Sequence, residues 1–358
     1  AVPPACPPTL FGRWTNHGGD GRRSGYAPGT VGVGTLTLEW ELDFGAPLDP
    51  VAVGDGRVFA TVGDGTSAEV ALIALEIDSG DELWKRVVGP ANFVSGASYA
   101  IPQVCVAVGK GGSSELVCVD ADTGVDAWVT GAAMQTAEPM APIEYAGKLY
   151  TAGGLSGGLH AHFLFTGDPL WFDALPNLFG WGASAYGDTV YAWDGGLYSL
   201  DALTGAQNWL TNVPYGFPAH PTTPVIGADG VAYLGGTVSL AGFDLVNRVQ
   251  VWTQAVATSG FPAVEGEQLY VIRSTGVAEE RSTATGALVR TFAGATGLVG
   301  PPIVTDDALV VSSSTTTWVY DRATGALLQS VPHGGALSIA DNHLLLAEPD
   351  GLLHAYTW

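Results

Sequence analysis

The sequence is poor in charge, and above all in basic charge. Of its 358 residues, charged ones make up 13%, with 13 Lys and Arg against 35 Asp and Glu, a formal net charge of −22. Nucleic acid and anionic lipid are held by clustered Lys and Arg, so this balance excludes both as partners. The acidic surface reads as a solubility device, suited to a salty medium. Calcium binding would be the functional reading of the same acids, but there is no DxDxDG loop of the EF-hand kind. No run reaches the ~18 apolar residues of a spanning helix, so no transmembrane segment is expected. Apolar stripes at helical spacing are also missing, which leaves almost no α-helix to expect. No secretory signal is visible, and the start at residue 1 says nothing either way about export. A GxSxG nucleophile elbow is absent. The glycine runs around Gly153-Gly154 and Gly157-Gly158 lack the strand-to-helix setting of a phosphate loop.

What is plentiful is glycine, 50 residues, and it recurs in register. The stretch GLYSLDALTGAQNWL, Gly196 to Leu210, reads as strand, tight turn, strand. The Gly205 position recurs at Gly80, Gly124, Gly167, Arg248, Gly286 and Gly325, a mean period of about 41 residues, inside the window of four-stranded propeller blades. Four residues later stand Trp84, Trp128, Trp171, Trp209 and Trp252, then Arg290 and Gln329. Four residues earlier stand Asp120, Asp201, Asp244 and Asp321, with Glu76, Phe163 and Ser282 as departures. The acid accepts backbone N–H groups across the turn, the glycine supplies positive φ, and the Trp opens the next strand with a large apolar body to wedge between sheets. Asp55-Gly56, Asp229-Gly230 and Asp350-Gly351 read as further hairpin turns.

Seven full copies run between about Pro47 and Val331. Leu38 to Phe44 looks like a fourth strand without its first three, and the chain end from Gly335 to Trp358 like three strands without a fourth. Joining them closes the ring and removes a free edge. The expectation is all-β: an eight-bladed β-propeller over residues 36–358, its last blade completed by strand 38–44, preceded by an extended lead-in over 1–35 that covers one face or rim.

The LYSLDALTGAQNW copy, with LVCVDADTGVDAW, WVYDRATGALLQS and ALIALEIDSGDELW, resembles the PQQ-like repeat of quinoprotein-type propellers, a WD40-like architecture whose compact BamB-like members are of this size. The resemblance covers nearly the whole chain after Leu36. It implies a bacterial, extracytoplasmic scaffold whose repeat holds blades together and performs no chemistry itself. The family's enzymes are longer chains that bind PQQ with calcium in the central funnel, and their cofactor residues do not map onto this sequence position by position. No cofactor is therefore expected, with PQQ and calcium as the alternative.

Three cysteines are present. A two-residue turn at Gly111-Gly112 pairs Lys110 with Ser113, Ala107 with Leu116 and Cys105 with Cys118. Counting outward, the cysteines fall on a non-hydrogen-bonded pair, where Cα atoms approach to about 4.5 Å, within the ~4.4–6.8 Å that a disulfide spans. A disulfide is the expectation, with two buried thiols the alternative, and it implies an oxidising compartment, periplasmic or secreted. Adjacent cysteines of the kind found in several PQQ dehydrogenases are absent. Cys6 is left over, as a free thiol or an attachment point; the preceding PPA is a poor lipoprotein box, so no lipid anchor is expected.

Candidate chemistry is sparse. His160 and His162 lie on one face of a strand, the spacing of a metal pair, but they occupy packing positions of the repeat and no third ligand is evident. His17 with Asp20, and His220 between prolines, are isolated. No catalytic residue is assigned. The leading expectation is a monomeric, non-enzymatic propeller that binds a protein partner on a loop-built face. The alternative is a small-ligand or enzyme site in the central funnel, lined by the loop aromatics Phe179, Trp181, Tyr215 and Phe217.

Overall fold

The computed structural model describes residues 12–32, 34–110, 113–132, 140–153, 158–175, 182–193, 196–212 and 223–358. Among them there is no helix, and so none long and apolar enough to cross a membrane. The strands form eight antiparallel sheets. Blade 1 is Ala52–Gly54, Arg57–Val62, Val70–Glu76 and Glu82–Gly89. Blade 4, which carries the master stretch, is Ala183–Tyr186, Thr189–Trp193, Gly196–Asp201 and Gln207–Asn212. Blade 8 is Ala336–Ala340, His343–Ala347 and Leu352–Thr357, completed by the N-terminal strand Thr37–Asp43. That last pairing is the expected closure, with Glu41 opposite His354 and Leu42 opposite Leu353.

The first strand of each blade is innermost. These strands, Ala52–Gly54, Ser98–Ala100, Ile143–Tyr145, Ala183–Tyr186, Val225–Ile226, Ala263–Glu265, Ile303–Val304 and Ala336–Ala340, touch their neighbours all the way round. Second and third strands are buried on both sides, as Val58 to Ala60, Val104 to Val108 and Leu344 to Leu346 illustrate, because every sheet is sandwiched between two others. Their sequences are accordingly continuous in Val, Leu and Ala. Outermost strands alternate, since only one side has a neighbour: in Glu82–Gly89, Trp84 is buried while Leu83 and Val87 are exposed.

The repeat motif is an inter-blade fastener. Trp84, Trp128, Trp171 and Trp252 each lie on the turn glycine of the following blade. A Cβ on Gly124 would stand 2.6 Å from Trp84, one on Gly205 2.6 Å from Trp171, and one on Gly286 2.4 Å from Trp252. The indole N–H then donates to the carbonyl three residues before that glycine: Trp84 to Ala121 at 2.9 Å, Trp128 to Leu164 at 2.7 Å, Trp171 to Ala202 at 3.2 Å and Trp252 to Thr283 at 2.6 Å. Trp40 of the N-terminal strand does the same to blade 1, over Gly80 and onto Ile77 at 2.7 Å. Glycine is thus needed twice, for its φ of +71° at Gly205 and for contact with the ring. The acid does as expected: Asp201 Oδ1 accepts from Leu203 N, Thr204 N and Thr204 Oγ1 at 3.0, 2.7 and 2.8 Å.

The departures are consistent with this. Arg248 stands at the glycine position with φ +58°, and its partner Trp209 is only partly buried. Arg290, at a tryptophan position, reaches the next blade by donating to Ala323 O at 3.0 Å and pairs with Glu280 at 2.7 Å. Gln329 faces blade 8, whose fourth strand arrives from the N-terminus. Its side chain accepts from Leu36 N at 2.8 Å and donates to Gly34 O at 3.2 Å.

Candidate functional site

Among the described residues, the first-to-second and third-to-fourth turns lie on one face of the ring, and the second-to-third loops and inter-blade connectors lie on the other. The first face repeats; the second, the loop face, carries the connectors that differ from blade to blade. What lies on the axis between the two is the lead-in. It does not cap a rim, as the sequence suggested, but runs inside the ring. Trp14 pairs with Val53 of blade 1 through two backbone bonds, at 2.8 and 2.9 Å. Thr15 O accepts from Tyr99 N, Gly21 O from Ala185 N, Arg22 O from Ile226 N, Ser24 O from Val264 N and Gly25 O from Val304 N, at 2.7 to 3.1 Å. The inward N–H groups of inner strands need acceptors once water is excluded, and this segment supplies them. Asp20 sets its shape by accepting from Arg22 N and Ser24 N at 3.0 and 2.9 Å.

Arg23 is the centre of this plug. It is 1% exposed. Its guanidinium donates to Ala183 O at 3.0 Å and Ala141 O at 2.7 Å, and also to Asn16 Oδ1 and His17 O. Burial pulls its pKa down to about 9, against an opposing pull from Asp20, so it remains a cation at neutral pH. His17 lies edge-on to Phe261 with ring centroids 5.1 Å apart. Burial and then the Arg23 charge depress its pKa to about 3, so the imidazole is neutral. On the loop face His17 borders a cavity of about 290 Å³ with Gly260, Pro301, Gly335 and Leu337, and a second of about 570 Å³ lies beside Pro47, Asp64, Phe93 and Pro349. No carboxylate lines the first cavity. A calcium ion there would have to take carbonyl oxygens and water in place of carboxylates.

Cys105 and Cys118 form a disulfide on directly opposed positions, Cα atoms 4.1 Å apart. His160 and His162 are buried side by side, ring centroids 6.2 Å apart, with His160 against Phe172 and His162 stacked on Trp128. His162 shares its Nδ1 with Gly167 O at 3.2 Å. Among the described residues, the His, Cys, Asp and Glu side chains close enough to share a metal are instead Glu41, His333 and His354. Phe179, Trp181, Tyr215, Phe217, His220 and Cys6 lie outside the described residues. The sequence reading missed Arg23 and the Glu41 cluster. Neither has a local signal, since one is the second of two adjacent arginines in a glycine-rich segment and the other joins the two ends of the fold.

The comparisons agree with this geometry. No curated protein sequence matches the chain. Among solved structures, BamB from Moraxella catarrhalis superposes with a TM-score of 0.70 at 17% identity over 90% of this chain and 100% of that one. A europium-containing methanol dehydrogenase gives 0.72 at 11% identity over 97% and 98%. The quinohemoprotein alcohol dehydrogenase from Comamonas testosteroni gives 0.71 at 12% over 96% and 80%. At such identities these likenesses establish the fold. The family model described as outer membrane protein assembly factor BamB matches residues 34–209 and 112–331. An eight-bladed propeller with these repeats and that match belongs to the BamB family.

Proposed function

We propose that the protein is an extracytoplasmic, non-enzymatic propeller that holds a protein partner on its loop face. The observation that carries this reading is the filled axis. Where a quinoprotein-type enzyme would keep its cofactor funnel, this chain packs its own lead-in, with backbone bonds to the inner strands of six blades and the buried Arg23 clamp. A rigid ring with a plugged centre offers its varied connectors as a binding surface. The disulfide favours an oxidising compartment, and the match to the family described as outer membrane protein assembly factor BamB supports a role in assembly alongside other proteins. The test is capture of partners from the extracytoplasmic fraction on immobilised protein, compared with a variant carrying Asp64→Lys and Phe93→Lys beside the 570 Å³ cavity on the loop face. A specific partner lost in that variant supports the reading. Purified protein that instead takes up PQQ with calcium stoichiometrically, read as a shifted absorbance, would replace it with the dehydrogenase-like alternative.

A further inference from the structure

We infer that blade 8 carries a transition-metal site, with Zn²⁺ as the fitting ion, built from Glu41, His333 and His354, which staples the two chain ends at the ring closure. Glu41 comes from the N-terminal strand, His354 from the C-terminal strand directly opposite, and His333 from the connector that leads into the blade. One ligand atom from each lies within 4.8 Å of the others.

His354 makes the case. It is 1% exposed and stands between two carboxylates. Its Nε2 is 2.8 Å from Glu348 Oε1. Its Nδ1 is 3.1 Å from Glu41 Oε2, yet that contact lacks hydrogen-bond geometry, and the buried Nδ1 has no partner. With the proton on Nε2 and given to Glu348, Nδ1 is left as a bare lone pair 3.1 Å from a second anion, with no proton shared between them. A cation there resolves the repulsion. A carboxylate on the far nitrogen is also what holds metal-binding imidazoles in place and raises their basicity. His333 has the matching arrangement. Its Nδ1 is 2.6 Å from the Tyr356 hydroxyl, which leaves Nε2 for the ion once the ring turns from its stack on His354, where the centroids are 3.9 Å apart.

Two imidazoles and a carboxylate suit Zn²⁺, with arms of about 2.1 Å and a fourth position left to water. Tetrahedral arms of that length hold ligand atoms about 3.4 Å apart. Closing from 4.8 Å therefore asks Glu41, whose side chain is 48% exposed, to swing inward and half-buried His333 to turn its ring out of the parallel stack, while His354 stays fixed. The site differs from the His160/His162 pair, which has aromatic and backbone partners and no third ligand among the described residues.

The experiment titrates the chelator-treated full chain with Zn²⁺ by calorimetry, and with Co²⁺ by visible absorbance, following the melting temperature alongside. We expect one ion per chain, the visible bands of a four-coordinate cobalt ion, and a melting rise of about 4 °C at a hundredfold excess of Zn²⁺ over its Kd. Glu41→Gln and His333→Ala, both changes of accessible residues, lower the affinity at least tenfold. Glu348→Gln lowers it about 10–100-fold through His354. His160→Ala with His162→Ala leaves it unchanged. Absence of stoichiometric binding overturns the inference. Binding that survives Glu41→Gln and His333→Ala, or that disappears with His160 and His162, overturns it as well.

Discussion

Arg23→Met tests whether the lead-in is part of the ring or only lies against it. Methionine keeps the apolar bulk and removes every donor, and the left-handed φ of +54° at this position strains both side chains alike. The substitution strips donors from Ala141 O and Ala183 O, which flank and begin inner strands of neighbouring blades. A buried acceptor left unsatisfied costs about 1–3 kcal/mol, so the two carbonyls give ~2–6 kcal/mol. No longer burying a cation works in the other direction, and we expect a net loss of about 3 kcal/mol. Melting entropy is about 2.1 cal/mol/K per residue, or ~0.75 kcal/mol/K over 358 residues, which converts that loss into a fall of ~4 °C. Scanning calorimetry reads the shift, and limited trypsin cleavage after Arg22 reads the local release. Arg23→Lys, which keeps a charge but not the fork of donors, should fall between. A change under ~1 °C with the lead-in still protected would refute the clamp and, with it, the filled-axis argument for function.

Four further outcomes are expected. Trp84→Ala, which removes an indole that packs on Gly124 and donates to Ala121 O, should cost about 3–5 kcal/mol, read as a fall of ~4–7 °C in melting temperature. Arg248→Gly relieves the positive φ at the one repeat turn without glycine and should raise stability by up to ~1 kcal/mol, measured by denaturant midpoint. Cys105→Ala with Cys118→Ala opens a loop with a sequence separation of 13 and should cost about 3 kcal/mol; an unchanged denaturant midpoint would count against it. His17 gives a pH signature. Folded, it stays neutral down to about pH 3; unfolded, it takes a proton near 6.5. The unfolded state therefore binds more protons between those values, and stability falls as pH drops through that window, at up to about 1.4 kcal/mol per unit. His17→Asn should flatten that slope by one proton in urea titrations from pH 6.5 to 4.

Much of this molecule is written in short stretches of chain. Asp201, Thr204, Gly205 and Trp209 form a turn whose geometry is settled within ten residues, and repetition of that unit forces sheets that can bury their faces only against copies of themselves. Blade number, the closure of Thr37–Asp43 on Leu352–Thr357, and the opposition of Cys105 and Cys118 all follow from counting in register, because strand periodicity and tight turns are local. The job of each tryptophan was half legible: its size announced a wedge, but its seat on the next blade's glycine appears only once sheets lie side by side.

Only the closed ring decided the rest. The lead-in has no repeat, and its partners, from Val53 to Val304, are spread around the whole circumference. No window of sequence tells Arg23 from Arg22, although one is buried on the axis and the other partly exposed. Glu41 and His354 become neighbours because the first strand and the last share a blade. Local chemistry determines the blades, since turns and alternation act over a few bonds. The contents of the axis and the chemistry at the seam belong to tertiary structure, since both rest on contacts that exist only after the circle shuts.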